Sequence, residues 1–264
     1  MCCQVGRGAD DTHKAWPYTD AQVRFSIVLP IRTDETRPLS VLTIALRTWN
    51  RQSPAEIVVV DISADAAIKE ICHRNVYIPI SPTPVPNFSH ALNVGIRAAA
   101  GEYIVCTGYE MLASENYLEV LNKYVAPDKI LGGHCGFLPR DLTPKYAVDN
   151  WDRVCATLSP DHGVGYEGRD GGYYPMVGTV QVMHRDKWNY LRGFDERILL
   201  AGADGDIIRR AVRLGLKRII IGFDEAQLLH PWHPKGKWHG SLPIDRSIMW
   251  EKTIIRNQKG WGRV

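Results

Sequence analysis

Glu110 closes the tripeptide Gly108-Tyr109-Glu110, which ends a short apolar run from Tyr103 to Cys106. In an open α/β sheet, ligands sit outside the carboxyl ends of the strands, so an acid there is a site candidate. Asp61 has the same standing, at the end of Ile57-Val58-Val59-Val60. A carboxylate in that place accepts charge-assisted hydrogen bonds from a base N–H or a hydroxyl, or simply caps the strand. Downstream, His230-Pro231-Trp232-His233 puts two imidazoles and an indole within four residues, and imidazole is a common ligand for transition metals. A lone histidine is more often a plain polar group; the doubling is what raises interest. Asp204 opens a helical run to Leu214, where capping the helix is the plain reading.

These residues need elements to hold them. Phe88, Ala91, Leu92 and Gly95 to Ala99 recur at helical spacing, Gly101 stops that helix, and Tyr103 to Cys106 follows as a buried strand. Before it, Arg24 to Ile31 predicts a buried strand ended by Pro30, and Leu39 to Trp49 a helix entered through Pro38. A strand over Glu56 to Asp61, a helix over Ala64 to His73 and a strand over Val76 to Ile80 come next, then an extended connector, Ser81 to Pro86. Glu115 to Val125 predicts a helix with Ser114 as its N-cap, and Ile130 to Phe137 a glycine-interrupted strand. Ser159 to Pro175 is Gly-, Asp- and Tyr-rich with little periodicity, the composition of a loop or lid. Val177 to His184 predicts a strand, Gly193-Phe194-Asp195-Glu196 a turn, and Asp204 to Leu214 a helix closed by Gly215. Strands over Arg218 to Ile221 and Ala226 to Leu229 lead to a Trp-rich basic tail from Lys235. Alternating strands and helices imply right-handed crossovers and a parallel sheet.

The chain has 264 residues, 45% apolar and 23% charged, ordinary for a globular protein with ample core. A formal charge of +3 offers no strong basic groove for nucleic acid. Cysteines at 2, 3, 72, 106, 135 and 155 lack paired zinc spacing and read as free thiols of a reducing, cytoplasmic compartment. No apolar run approaches ~18 residues and no signal peptide is legible, so the expectation is a chain without a membrane span. Cys2-Cys3 is weak support for lipidation, which keeps a peripheral membrane contact open.

The order strand-Pro30, helix, Ile57-Val-Val-Val-Asp61, Ala91-Leu-Asn93-Val-Gly95, Gly101-Glu-Tyr-Ile104, Glu110, Gly193-Phe-Asp-Glu196 and Gly202-Ala-Asp204-Gly-Asp206-Ile-Ile-Arg209 resembles the family-2 type of glycosyltransferase with the GT-A fold. The resemblance spans roughly residues 24–230. It implies an α/β, Rossmann-like, mostly parallel central sheet flanked by helices, with an irregular C-terminal acceptor-side half. In this scheme residues 1–20 form an arm, and 21–234 one GT-A domain with nucleotide-binding (21–112) and acceptor (113–234) halves. Residues 235–264 form a tail packing on or near the site.

The same resemblance implies a nucleotide-sugar donor (a UDP-sugar favoured), a divalent metal (Mn²⁺ or Mg²⁺) and a hydroxyl acceptor: a glycan, a lipid-linked sugar or a protein, with modified nucleic acid a minority option. Pro30, Asp61, Asn87, Asn93 and Tyr109 are then the donor-binding candidates, Asn93 serving equally well as a link between helix and loop. Family members carry Asp-x-Asp where this chain has Gly108-Tyr109-Glu110, so one carboxylate is lost and the other lengthened. Glu110 and His230 are the expected metal ligands, since substrate phosphates and water complete a site holding few protein acids. Asp204 matches the acid that takes the acceptor's proton in inverting members, although the usual Glu-Asp is here Ala203-Asp204; helix N-termini favour such negative charge. Asp206 and Arg209 are expected to brace the helix. Arg169, Tyr173, Tyr174, Asp195 and Trp232 are assigned to acceptor or lid, although Asp195 and Glu196 serve equally to orient the turn. Lys235, Lys237 and Trp238 either close over the diphosphate or form a solvated basic tail. Trp151 and Trp188 are read either as sugar platforms or as core.

Two other classes compete. A non-catalytic nucleotide-sugar or glycan-binding relative would account for the eroded Asp-x-Asp motif. A sugar-nucleotide pyrophosphorylase would need a glycine-rich basic loop after the first strand, and Pro30-Ile-Arg-Thr-Asp-Glu-Thr36 lacks glycine.

Overall fold

The computed structural model describes residues 24–33, 39–52, 54–63, 65–160, 172–174, 180–199, 202–233, 247–248 and 251–264. Its main sheet is built from β1 (Phe25–Ile31), β2 (Ala55–Asp61), β3 (Val76–Pro79), β4 (Tyr103–Thr107), β6 (Lys129–Gly133), β10 (Val180–His184) and β11 (Lys217–Ile221), in the order β11-β6-β10-β4-β1-β2-β3. Strand β10 is antiparallel to β4 and β6; the other neighbours pair in parallel. A second sheet runs β5 (Leu112–Ala113), β12 (Leu228–His230), β7 (Cys135–Phe137), β9 (Gly172–Tyr174), β8 (Ser159–Pro160). The architecture is the expected α/β one, with a mostly parallel sheet flanked by helices.

All seven residues of β1 are buried, as an apolar run in a doubly covered parallel strand requires. Each large aliphatic side chain so buried contributes about 1.5–3 kcal/mol. Pro30 does not end the strand; it pairs alongside Val60, and Ile31 continues the ladder. The carbonyl of Ile31 accepts from Ile62 N on the β2 side, so by alternation Pro30 faces the β4 side, where pairing has already stopped at Val28. Its missing N–H therefore costs no ladder bond.

Helices α1 (Leu39–Trp49) and α4 (Tyr117–Tyr124) pack on one sheet face, while α3 (Phe88–Ala98), α7 (Arg185–Leu191) and α8 (Ala203–Arg213) pack on the other. The short helices α2 (Ala66–Ile71), α5 (Pro144–Asp149) and α6 (Trp151–Thr157) are the other helices among the described residues. Gly95 lets α3 approach β1, since a methyl there would lie 2.3 Å from Val28 Cγ1. Because α3 and α8 each precede a strand of the parallel set, both run back against it, and their N-termini stand at its carboxyl edge. Asn87, Asp204 and the end of β4 thus share that edge.

Several local expectations change. Helix α4 starts at Tyr117 with Asn116 at the N-cap; Ser114 bonds the Asn116 side chain instead, at 2.8 Å. The Ile130–Phe137 stretch is two strands in different sheets, the chain stepping across at His134, whose N–H bonds Ile221 O at 3.2 Å. Within the expected loop from Ser159 to Pro175, β8 and β9 pair in the second sheet. Helices α5, α6 and α7 appear where no helix is legible in the sequence. Cys72, Cys106, Cys135 and Cys155 are free thiols.

Candidate functional site

The second sheet brings the acid and the histidines together. Antiparallel pairing matches Leu228 with Ala113 and Leu229 with Leu112, so the chain leaving β12 runs back past Glu110, which lies just before β5. Glu110 Oε1 lies 3.5 Å from His230 Nε2, and one ligand atom each from Glu110, His230 and His233 fall within 4.8 Å of one another. His230 is 7% exposed and His233 9%, with their rings 5.1 Å apart. Phe137 backs His230 at 5.2 Å, and Leu138 N bonds its carbonyl at 3.0 Å. Gly108 matters because the Glu110 carboxylate folds over it: a methyl at 108 would lie 2.9 Å from Oε1. Two imidazoles and one carboxylate at this spacing fit a divalent ion, whose ligand atoms stand about 3 Å apart when each is 2.0–2.2 Å from the metal.

Asp204 sits in the first turn of α8, half-exposed. Gly202 (φ 92°) holds the N-cap position with no side-chain cap bond, so capping is not what Asp204 does. Among the described residues its carboxylate has no hydrogen bond or ion pair.

Other candidates are committed elsewhere. Asp61 is fully buried, and its two oxygens accept from Ser63 N, Ser63 Oγ, Asp65 N and Tyr77 OH at 2.6–2.8 Å. Those four bonds use the carboxylate's ordinary acceptor capacity, so it secures the loop after β2. The Tyr77 phenol is pushed up, first by burial and then by the Asp61 bond. Asn87 caps α3 through His90 N (2.9 Å) and donates to Glu196 O (2.9 Å). Asn93 is the helix-to-turn link: its amide donates to Phe194 O and Glu196 Oε1 at 2.9 Å, and accepts from Phe194 N at 2.7 Å. Tyr109 is 2% exposed within the core cluster of β1 and α4, which argues against donor contact.

Of the two expectations for Asp195, the structure fits orienting the turn and not an exposed acceptor contact. Asp195 is fully buried and bonded twice by the Arg197 guanidinium (2.7 and 3.0 Å), with Arg256 at 3.4 Å. Burial opposes its charge, but the Arg197 bonds win and hold its pKa below the ordinary carboxylate value. Glu196 faces inward to His90, Asn93 and Gly262 N.

Trp232 is 41% exposed with Arg140 stacked on it at 4.6 Å. Tyr173 and Tyr174 lie on β9, paired with Gly136 and Cys135. Arg169, Lys235, Lys237 and Trp238 lie outside the described residues. Trp188 is core, its indole N–H bonding Ile104 O at 3.2 Å, while Trp151 bonds Gln227 Oε1.

Asp206 braces α8 through its pair with Arg210 one turn on, at 2.7 Å. This pair belongs to a scaffold the sequence reading missed, which ties the C-terminal segment to the turn and to α8. Arg256 lies 3.3 Å from Asp206; Asn257 bonds the Arg192 and Phe194 carbonyls; Trp261, 8% exposed, lies under Arg97. Gly193 (φ 65°) makes the turn possible, because a methyl there would stand 2.0 Å from Asn93 Oδ1. A separate acidic cleft of about 670 Å³, lined by Arg51, Asp149, Trp151, Asp152 and Asp224, lies toward the other end of β12.

No protein-family model and no curated protein matches the chain. Among solved structures it is similar to S. aureus TarS 1-349 in complex with UDP-GlcNAc, with TM-score 0.57 and 14% identity over 86% of this chain and 63% of that one. It is also similar to the mannosyltransferase PcManGT from Pyrobaculum calidifontis in complex with GDP-Man and Mn²⁺, with TM-score 0.51 and 18% identity over the same shares, 86% and 63%. The chain thus spans less than two thirds of the length of these structures. What is shared is the fold, in keeping with the expected GT-A type. No helix among the described residues is long and apolar enough to cross a membrane.

Proposed function

We propose that this chain is a glycosyltransferase moving a sugar from a nucleoside-diphosphate donor, a UDP-sugar first, to a hydroxyl acceptor with inversion. The observation that carries the reading is the meeting of Glu110 with His230 just beyond β4, on a sheet whose carboxyl edge also holds the first turn of α8 and Asp204. Glu110 and His230 would hold a divalent cation, which when bound offsets the charge of the departing diphosphate. Asp204 would take the acceptor proton: its carboxylate is accessible and uncommitted, whereas Asp61 and Asp195 are saturated. Asp61 could meet the base or ribose only by giving up Ser63, Asp65 or Tyr77, so it is retained chiefly as the residue shaping that pocket. Pro30 lies on the neighbouring strand, opposite Val60 and one residue back from the partner of Asp61. Asn87, Asn93 and the Asp195–Arg197 pair position the turn before α8. Trp232 with Arg140 offers a flat face for an acceptor sugar.

A binding-only relative is the second reading, favoured by the glycine at 108. A thermal-shift screen of UDP- and GDP-sugars, with and without Mn²⁺, tests both, because binding at 100-fold over Kd stabilises by about 2.7 kcal/mol. A donor that raises the melting temperature and is then hydrolysed or transferred supports the enzyme. Stabilisation without turnover across acceptors supports the binding module, and no stabilisation by any nucleotide sugar refutes the enzyme and the nucleotide-sugar-binding module alike.

A further inference from the structure

We propose that the cation site is a three-ligand set, Glu110, His230 and His233, which selects a transition-metal ion over Mg²⁺. The inference rests on the glycosyltransferase reading and deepens it by naming a third ligand and the class of ion.

Geometry supplies the first argument. The three donor atoms lie within 4.8 Å of one another, and the Glu110–His230 pair at 3.5 Å needs only a small contraction to share one ion. His233 follows His230 by three residues through Pro231, and its ring lies against that of His230 at 5.1 Å. Both histidines are nearly excluded from water.

Space supplies the second. Gly108 stands where the resembled motif has its first acid. The Glu110 carboxylate occupies the ground above it, with Oε1, Cδ and Oε2 at 2.9, 3.0 and 3.0 Å from where a β-carbon would be. A second carboxylate from that position would displace the first. The protein therefore offers one oxygen-donor side chain and two nitrogen donors.

Chemistry then fixes the ion class. Mg²⁺ demands near-octahedral oxygen coordination and dehydrates reluctantly, so two imidazoles are a poor exchange for its water. Co²⁺ and Zn²⁺ accept imidazole more readily than Mn²⁺ does, and affinity for a nitrogen-containing site rises along the series from Mn²⁺ to Co²⁺. The three side chains leave open positions for donor phosphate oxygens.

The test is direct metal binding to the full chain, stripped with chelator and titrated with CoCl₂, MnCl₂ and MgCl₂, with and without UDP. One equivalent of Co²⁺ should bind more tightly than Mg²⁺ by at least about tenfold. His233→Gln should weaken Co²⁺ by about tenfold or more. Pulsed EPR on the Mn²⁺-loaded wild-type protein, which needs no variant, should register two directly coordinated ¹⁴N nuclei. A single ¹⁴N, or His233→Gln binding Co²⁺ like wild type while Glu110→Gln does not, overturns the third ligand yet leaves the donor site standing. Mg²⁺ binding as tightly as Co²⁺ overturns the selectivity. If no ion binds but UDP-sugars still raise the melting temperature, the metal inference falls alone.

Discussion

Arg210→Met probes the scaffold that carries Asp204. Arg210 and Asp206 are wholly buried and joined at 2.7 Å across one turn of α8. The same guanidinium donates to the carbonyls of Gly193 (2.7 Å), Leu191 (3.1 Å) and Ile254 (3.2 Å). Methionine keeps the length and apolar stem but removes every donor. Breaking a buried pair from one side costs about 3–5 kcal/mol, because the remaining charge is uncompensated. Arg256, 3.3 Å from Asp206, moderates that cost, whereas three orphaned carbonyls add up to about 1 kcal/mol each. The expected loss is about 4 kcal/mol, a large share of the 5–15 kcal/mol typical of a folded domain. Urea unfolding followed by tryptophan fluorescence would register it as a lowered midpoint at unchanged slope. Asp206→Leu/Arg210→Met removes both charges and should lose less than Arg210→Met alone. A single variant costing under about 1 kcal/mol, or a double variant costing the sum of its parts, would mean that the pair does not brace α8.

Two further perturbations follow from packing and titration. Gly95→Ala forces a methyl to within 2.3 Å of Val28 Cγ1, and a loss of about 1–3 kcal/mol in the same denaturation assay is expected; no loss would mean that α3 is not seated as described. His90 is raised above 6.5 chiefly by its bond to Glu196, and Glu196 is lowered below 4.5 by His90, Asn93 and Gly262 despite burial. A raised histidine stabilises below its ordinary value and loses that contribution as pH rises through the folded value; a depressed carboxylate stabilises above its ordinary value and loses it as pH falls. Melting temperature should therefore be highest in the mildly acidic window between the two, and Glu196→Gln should flatten both flanks. A wild-type profile already flat there would contradict the pairing.

The parallel core was legible because β1, β2 and β4 are apolar runs with little choice but burial. Glu110, too, could be placed at a strand end from Tyr103 to Cys106 alone. Its meeting with His230 could not, since it depends on pairing between β5 and β12, two- and three-residue strands with no periodicity of their own. His233 was visible in the tetrapeptide but had no spacing rule to promote it over His230. Helices α5 to α7 escaped notice because their apolar faces are short and interrupted: Ala147 is the only buried residue of α5, and Val154 of α6. Arg256 and Asn257 read as an ordinary basic tail, and only the fold reveals the buried acids and carbonyls they reach. Asp61 shows the converse. Its strand-end position was read correctly, while the neighbours that saturate it, Ser63, Asp65 and Tyr77, carry no signature in sequence.

Donor affinity and transfer rate should be measured side by side for wild type and Asp204→Asn, using the nucleotide sugar that gives the largest thermal shift. Unchanged donor affinity with turnover reduced about 100-fold or more is the result expected of a general base. Wild-type turnover from Asp204→Asn would contradict it.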